Sequence, residues 1–144
     1  MTDARRALVT GAGTGIGAAT ASRLATGGHA VALVGRRPEP LRATAAAIEA
    51  EGGRAVALPA DVGEPVQAAA AVADAVAALG GLDVLVLAHG VGGSAPVADD
   101  TPERWDEVVR INLTGAFLVA RAALPHLEAL ATALLTAQPQ KDPA

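Results

Sequence analysis

The chain is 144 residues long, 51% of them hydrophobic and 18% charged, with a net charge of −4 and a pI near 5.2. That length suits one domain and that composition a folded soluble chain, while the acidic balance argues against the dense basic patch that nucleic acid or a membrane surface requires. The absence of cysteine excludes disulfides, thiolate metal sites and cysteine nucleophiles, and no metal site is expected.

Short apolar runs alternate with longer Ala- and Leu-rich stretches. Arg6 to Thr10 reads as a buried strand running into the glycine-rich stretch Gly11 to Gly17. A helix follows from about Gly15 to Ala25, closed by Gly27-Gly28. His29 to Val34 is the second strand, and Pro38 starts a second helix that ends near Glu51 before Gly52-Gly53. Arg54 to Leu58 is the third strand; Glu64 to Leu79 makes the third helix, stopped by Gly80-Gly81. Asp83 to Leu87 is the fourth strand, with Val84, Leu85, Val86 and Leu87 an unbroken apolar run. Strands apolar on both faces and separated by helices imply a parallel sheet covered on both sides. After the loop from Gly90 to Ser94, Thr101 can cap a helix with Pro102 at its first position, continuing to about Ala131 with Pro125 as a kink or break. Residues 132–144 read as a poorly ordered tail. The polar N-terminus lacks a signal-peptide core, and no apolar run approaches the roughly 18 residues of a membrane span, so a cytoplasmic location is expected.

The stretch Thr10-Gly-Ala-Gly-Thr-Gly-Ile-Gly17 lies between a strand and a helix, the context in which glycines become a phosphate-site signal. They permit a tight turn and close backbone approach to a pyrophosphate, and the helix start offers N–H groups and a positive dipole end. The bland alternative is a tight strand–helix turn.

Taken as Thr-Gly-x-x-x-Gly-x-Gly, this loop resembles the cofactor loop of the short-chain dehydrogenase/reductase family. The resemblance runs from about residue 6 to 128. It includes Gly35-Arg36-Arg37 after strand two, Asp61-Val62 after strand three and Gly90 after strand four. It closes on Trp105-Asp-Glu-Val-Val-Arg-Ile-Asn112-Leu-Thr-Gly-Ala-Phe-Leu-Val. It implies an α/β fold: the N-terminal half of a Rossmann-type doubly wound parallel sheet, in strand order 3-2-1-4 with flanking helices, over residues 1–131.

The same resemblance implies cofactor contacts at Gly11, Ala12, Gly13, Thr14, Gly15, Ile16, Gly17, Arg36, Arg37, Asp61, Val62, Ala88 and Gly90. Where the family's NAD members carry Asp after strand two, this chain has Gly35 followed by Arg36 and Arg37. Glycine leaves room for a 2′-phosphate and arginine supplies a planar fork to bind it, so the expected cofactor is NADP (NADPH). Arg36 is the main candidate; Arg37 stacks or screens. Alternatively both arginines only solvate a strand end. Asp61 and Val62 are implied to hold the adenine, although Asp61 could instead cap the third helix. Asn112 aligns with the asparagine that supports the family's proton relay; by itself it is a poor helix former that marks a kink.

Strand four departs from the family's Asn-Asn-Ala-Gly. Leu87 replaces the first asparagine, so a polar tie of the sheet is missing, and His89 takes the alanine slot, as a loop histidine with ordinary hydrogen bonds or as a proton donor. The family's catalytic Ser, Tyr and Lys have no match: tyrosine is absent, serine occurs only as Ser22 and Ser94, and the single lysine is Lys141. A truncated or frame-shifted chain is expected, inactive by the family mechanism. Its fourth strand would have an open edge favouring self-association, or pairing with a full-length relative through that edge and the last helix. Three functional readings stand: an NADP-dependent oxidoreductase lineage, a non-catalytic NADP-binding or interaction module, and a non-functional gene fragment. Neither nucleic acid nor a membrane is expected as a partner.

Overall fold

A computed structural model describes residues 4–93 and 95–136, with 130–136 as backbone alone. Among the described residues, β1 (Arg6–Thr10), β2 (Ala30–Gly35), β3 (Arg54–Pro59) and β4 (Val84–Leu87) form a sheet in the order β3-β2-β1-β4. All pairings are parallel: Arg6 sits opposite Ala30 and Thr10 opposite Val34, while Ala7 pairs with Val84 and Ala30 with Arg54. The expected strand order is therefore the observed one.

Alternation along the strands decides which helix covers which face. Ala7, Val9, Val31 and Leu33 pack against α1 (Gly15–Thr26) and α2 (Pro38–Ala50) through Ala21, Ala25, Leu41 and Ile48. Leu8, Ala32 and Val34 face the other way, onto α3 (Pro65–Leu79) and α5 (Gly115–Thr136), where Ala68, Val72, Ala75, Val119 and Ala123 fill the layer. Small alanines let α3 lie close to the sheet and to α5. Gly80 ends α3 in the left-handed region at φ 81°, its N–H donating to the Val76 carbonyl.

At the amino-terminal edge of the sheet, Asp83 ties β4 to β1. Its Oδ2 accepts from the Arg6 backbone N–H and Nε, each at 2.8 Å, and its Oδ1 from Nη2 at 2.6 Å. The Asp83 side chain is 5% exposed. The hydrogen-bonded guanidinium holds its carboxyl below the ordinary range, burial opposing the shift. A depressed folded-state value means the tie contributes fully above the unfolded carboxyl's value, about 3.9, and is lost as pH falls through that value toward the folded one. Asp83→Asn should lower stability at neutral pH by the lower end of about 1.5–3 kcal/mol, because Arg6 is partly exposed. It should also flatten the loss of stability on acidification, as read from urea midpoints between pH 7 and 3; an unchanged acid dependence would refute the role.

From Pro102 to Thr136 the chain is one continuous helical run. Thr101 caps α4 (Pro102–Val109), its Oγ1 accepting from the Arg104 N–H at 3.2 Å. A π-helical turn, Arg110–Thr114, joins α4 to α5. A π irregularity thus falls at Asn112, and α5 continues past Pro125 without a break. Pro125 forfeits its own bond to the Arg121 carbonyl, while Val119 and Ala123 keep the helix seated on α3. The helix is assigned to Thr136 rather than ending near Ala131; residues 137–144, with Lys141, lie outside the described residues. The run also corrects the expectation about membrane spans. Pro102–Ala129 contains an 18-residue window of mean hydropathy 1.3, 22% of it buried, long and apolar enough to cross a bilayer. The window averages over polar residues such as Asn112 and Arg121, which a search for unbroken apolar runs does not. What the structure shows this helix doing is covering Leu8 and packing on α3 through Val119 and Ala123.

Candidate functional site

The carboxyl ends of the strands open onto a cleft of about 180 Å³, lined by the loop after β1, Gly35 to Arg37 after β2, Ala60 to Val62 after β3, and Ala88 to Val91 after β4. A complete small-molecule site measures roughly 300–1,000 Å³, so the enclosed space is smaller than that of a complete site.

β1 lies inside the sheet, between β2 and β4, so the loop at its end sits over the middle of the fold. Gly11 turns the chain at φ 66°, and a Cβ there would lie 2.5 Å from the Ala88 carbonyl oxygen. Gly13 approaches Pro40 at 3.0 Å measured from a Cβ position, and Gly15 stands at φ 56° with open space beside it. Gly17 is buried against the Gly11 carbonyl. Glycine is required here for conformation and for close approach, and the result is a backbone cradle over the start of α1. Thr14 precedes the helix without a side-chain cap, which leaves first-turn N–H groups for an anion. Ala12 is buried in the core, its N–H donating to the Val34 carbonyl at 3.2 Å, so only its backbone adjoins the loop. Ile16 is 81% exposed at the helix start.

Gly11, Gly13, Thr14, Arg36, Arg37, Asp61, Val62, Ala88 and Gly90 line this cleft together; Ala12, Gly15, Ile16, Gly17 and Asn112 lie outside its lining. The Arg36 guanidinium is about half exposed at the end of β2, with Glu107 of α4 at 4.0 Å. Arg37 precedes α2 in extended backbone. Asp61 does not cap α3, which starts after Glu64. Its Oδ1 accepts from the Gly63 N–H at 2.9 Å and its Oδ2 from Arg110 at 3.2 Å. Val62 is buried beneath the cleft floor, where Gly115 of α5 approaches so closely that a Cβ would lie 3.1 Å from Cγ2.

At the end of β4, His89 and Thr10 supply a tie the sequence reading did not assign. Thr10 Oγ1 accepts from the Ala88 N–H at 3.1 Å and meets His89 Nδ1 at 2.7 Å, while His89 Nε2 lies 3.1 Å from the Ile111 carbonyl. A carbonyl only accepts, so Nε2 carries the proton and Nδ1 accepts from the Thr10 hydroxyl. Burial pushes the imidazole below its ordinary value, against the opposing Ile111 hydrogen bond, in keeping with a neutral ring. His89 is thus a hydrogen-bonded loop histidine linking β1, β4 and the π turn. The signal that could have found it was the pairing of a buried Thr at one strand end with a His at the neighbouring end. Asn112 spends both ends of its carboxamide on Val91, accepting from its N–H and donating to its carbonyl, each at 2.8 Å. Its side chain holds the β4 loop in place. Among the described residues no group of three His, Asp or Glu could hold a metal.

A parallel sheet in this order, a glycine cradle at the end of an interior strand and arginine at the end of the next define a Rossmann-type α/β protein. The short chain dehydrogenase family profile matches residues 5–133; the chain belongs to the short-chain dehydrogenase/reductase family. It is 44% identical over 121 residues to the short-chain reductase protein NovJ of Streptomyces niveus, covering 84% of this chain and 46% of that one. It is 41% identical over 128 residues to a Mycobacterium tuberculosis reductase of a hexahydro-indene-carboxyl-CoA, with 88% and 49% covered. A short chain dehydrogenase from Burkholderia cenocepacia, solved in complex with NADP, superposes with a TM-score of 0.81 at 40% identity, covering 85% of this chain and 51% of that one. The chain spans about half the length of the curated relatives it matches.

Proposed function

We propose that the chain binds NADP(H), as the cofactor-binding part of an oxidoreductase that moves hydride between nicotinamide and a carbonyl or alcohol. The observation that carries this reading is the presence of the β1–α1 glycine cradle and the Arg36 guanidinium on one cleft. The pyrophosphate lies on the backbone of Gly11 to Gly17, with Ile16 covered by the bound cofactor. Arg36, with Arg37 beside it, takes the 2′-phosphate. The adenine lies against Asp61 and Val62, and the ribose and nicotinamide run toward Ala88 and Gly90. Asn112 keeps that end in place through Val91 and in the intact family fold supports the proton relay. Support comes from the NADP held by the Burkholderia cenocepacia relative. Calorimetric titration should give one saturable site that favours NADPH over NADH by at least about tenfold; equal affinity would remove the phosphate assignment, and no binding would remove the reading.

These 144 residues contain no tyrosine to act as the family's acid/base. Carbonyl reduction by the chain alone is therefore expected at background in an NADPH-oxidation assay, and measurable turnover would overturn this. A second reading is a non-catalytic NADP-binding or interaction module. Among the described residues β4 has no outer neighbour, and Leu87 at its end is 41% exposed. This supports pairing with a second copy or a full-length relative.

A further inference from the structure

The residue that opens the π turn has a place in the site that neither the glycine loop nor the strand-two arginines account for. Arg110 is two-thirds buried and reaches from the end of α4 across to the loop after β3. Its Nη1 donates to Asp61 Oδ2 at 3.2 Å and to Glu64 Oε1 at 3.1 Å. The Gly63 N–H donates to the other Asp61 oxygen at 2.9 Å, and the Asp61 backbone N–H donates to Gln67 Oε1 at 2.9 Å. The carboxylate is thereby held from both ends. An ionised carboxylate offers about four acceptor positions; two are occupied, which leaves acceptor capacity on a group that lines the cleft.

We propose that Arg110 is a specificity-determining positioning residue for the base of the bound nucleotide. It fixes and neutralises Asp61 so that the carboxylate accepts from an exocyclic amino group and rejects a carbonyl at that place. The inference rests on the NADP(H) reading above. Two physical points favour it. A planar ring laid on Asp61 and Val62 strips water from the carboxylate, and a desolvated carboxylate without a cation is strongly disfavoured; Arg110 supplies that cation. Stability alone is a weak reason for the pair, because partly exposed ion pairs contribute little to folding. The effect of Arg110 belongs in recognition, where a site built to accept from an amino group leaves its acceptor facing another acceptor when the wrong base binds.

The test uses the whole chain, NADPH, and its hypoxanthine counterpart, in which a carbonyl replaces the adenine amino group. Titration calorimetry should show the unaltered chain preferring NADPH by about tenfold or more. Arg110→Ala should weaken NADPH and cut the preference to about threefold or less, with little change in Tm. Arg110→Lys should recover part of it, and Glu64→Gln, which leaves the Asp61–Arg110 pair, should keep the full preference. Arg110→Ala with an undiminished preference, or with both nucleotides weakened equally, overturns the proposal. An unaltered chain that binds both nucleotides equally removes the Asp61 contact and Arg110's role with it. An unaltered chain that binds neither removes the NADP(H) reading itself.

Discussion

Alanine at Gly17 is expected to abolish measurable NADPH binding and to lower the unfolding free energy by about 1–3 kcal/mol, the cost of overpacking a filled position. The added Cβ would meet the Gly11 carbonyl carbon at 2.6 Å and the Ala12 nitrogen at 3.1 Å. Both are backbone atoms of the phosphate loop and cannot rotate aside like the end of a long side chain. Nor can the loop retreat, because Gly11 already lies against the backbone of Ala88 and His89. The strain must then appear as a shift of α1 away from β1, which moves the first-turn N–H groups from their common target. Gly15→Ala is the contrast. It meets no atom within 4 Å and incurs only the left-handed penalty at φ 56°, roughly 1–2 kcal/mol. Urea unfolding and NADPH titration of the two variants separate packing from conformation. A Gly17→Ala chain that binds NADPH as tightly as the unaltered one would contradict the cradle.

Arg36→Ala should weaken NADPH by about 10- to 100-fold while leaving NADH within about twofold. The size follows from losing hydrogen bonds to a doubly charged phosphoryl group, which NADH lacks. The existing partner of Arg36 does not compete strongly: Glu107 is 4.0 Å away and both side chains are about half exposed, a geometry in which ion pairs are nearly neutral. Arg37→Ala should have a smaller effect, since that residue's backbone leads into α2. If Arg36→Ala weakened NADH and NADPH alike, Arg36 would act as a general cation rather than as the reader of the 2′-phosphate.

Much of the fold was legible because its signals are local. Apolar four- to six-residue runs bounded by glycine pairs marked the strands, and Pro38, Pro65 and Pro102 stand in the first turn of α2, α3 and α4. The strand order came from the family pattern, not from any one strand, since nothing in Val84 to Leu87 says that it pairs with β1. The features that escaped reading depend on contacts between distant segments. Thr10 and His89 are 79 positions apart and meet only because β1 and β4 are neighbours. Arg110 and Asp61, 49 positions apart, meet only when the π turn carries Arg110 toward the loop after β3. Of the two outcomes expected at Pro125, the break does not occur: its local tendency to end a helix yields to the packing of Val119 and Ala123 on α3. Asn112 was correctly singled out as an irregular helical position, but its carboxamide turned out to serve the Val91 backbone, a partner that no spacing in the sequence reveals.

The central claim is that backbone N–H groups at the start of α1 hold a pyrophosphate at the end of β1. It is tested most directly by following backbone amide resonances of the isotopically labelled chain during an NADPH titration. The largest saturable shifts should fall on Gly13 to Gly17, with a second set at Arg36 and Arg37 that NADH does not reproduce. Saturable binding that left the amides of Gly13 to Gly17 unmoved would place the nucleotide elsewhere and contradict the account.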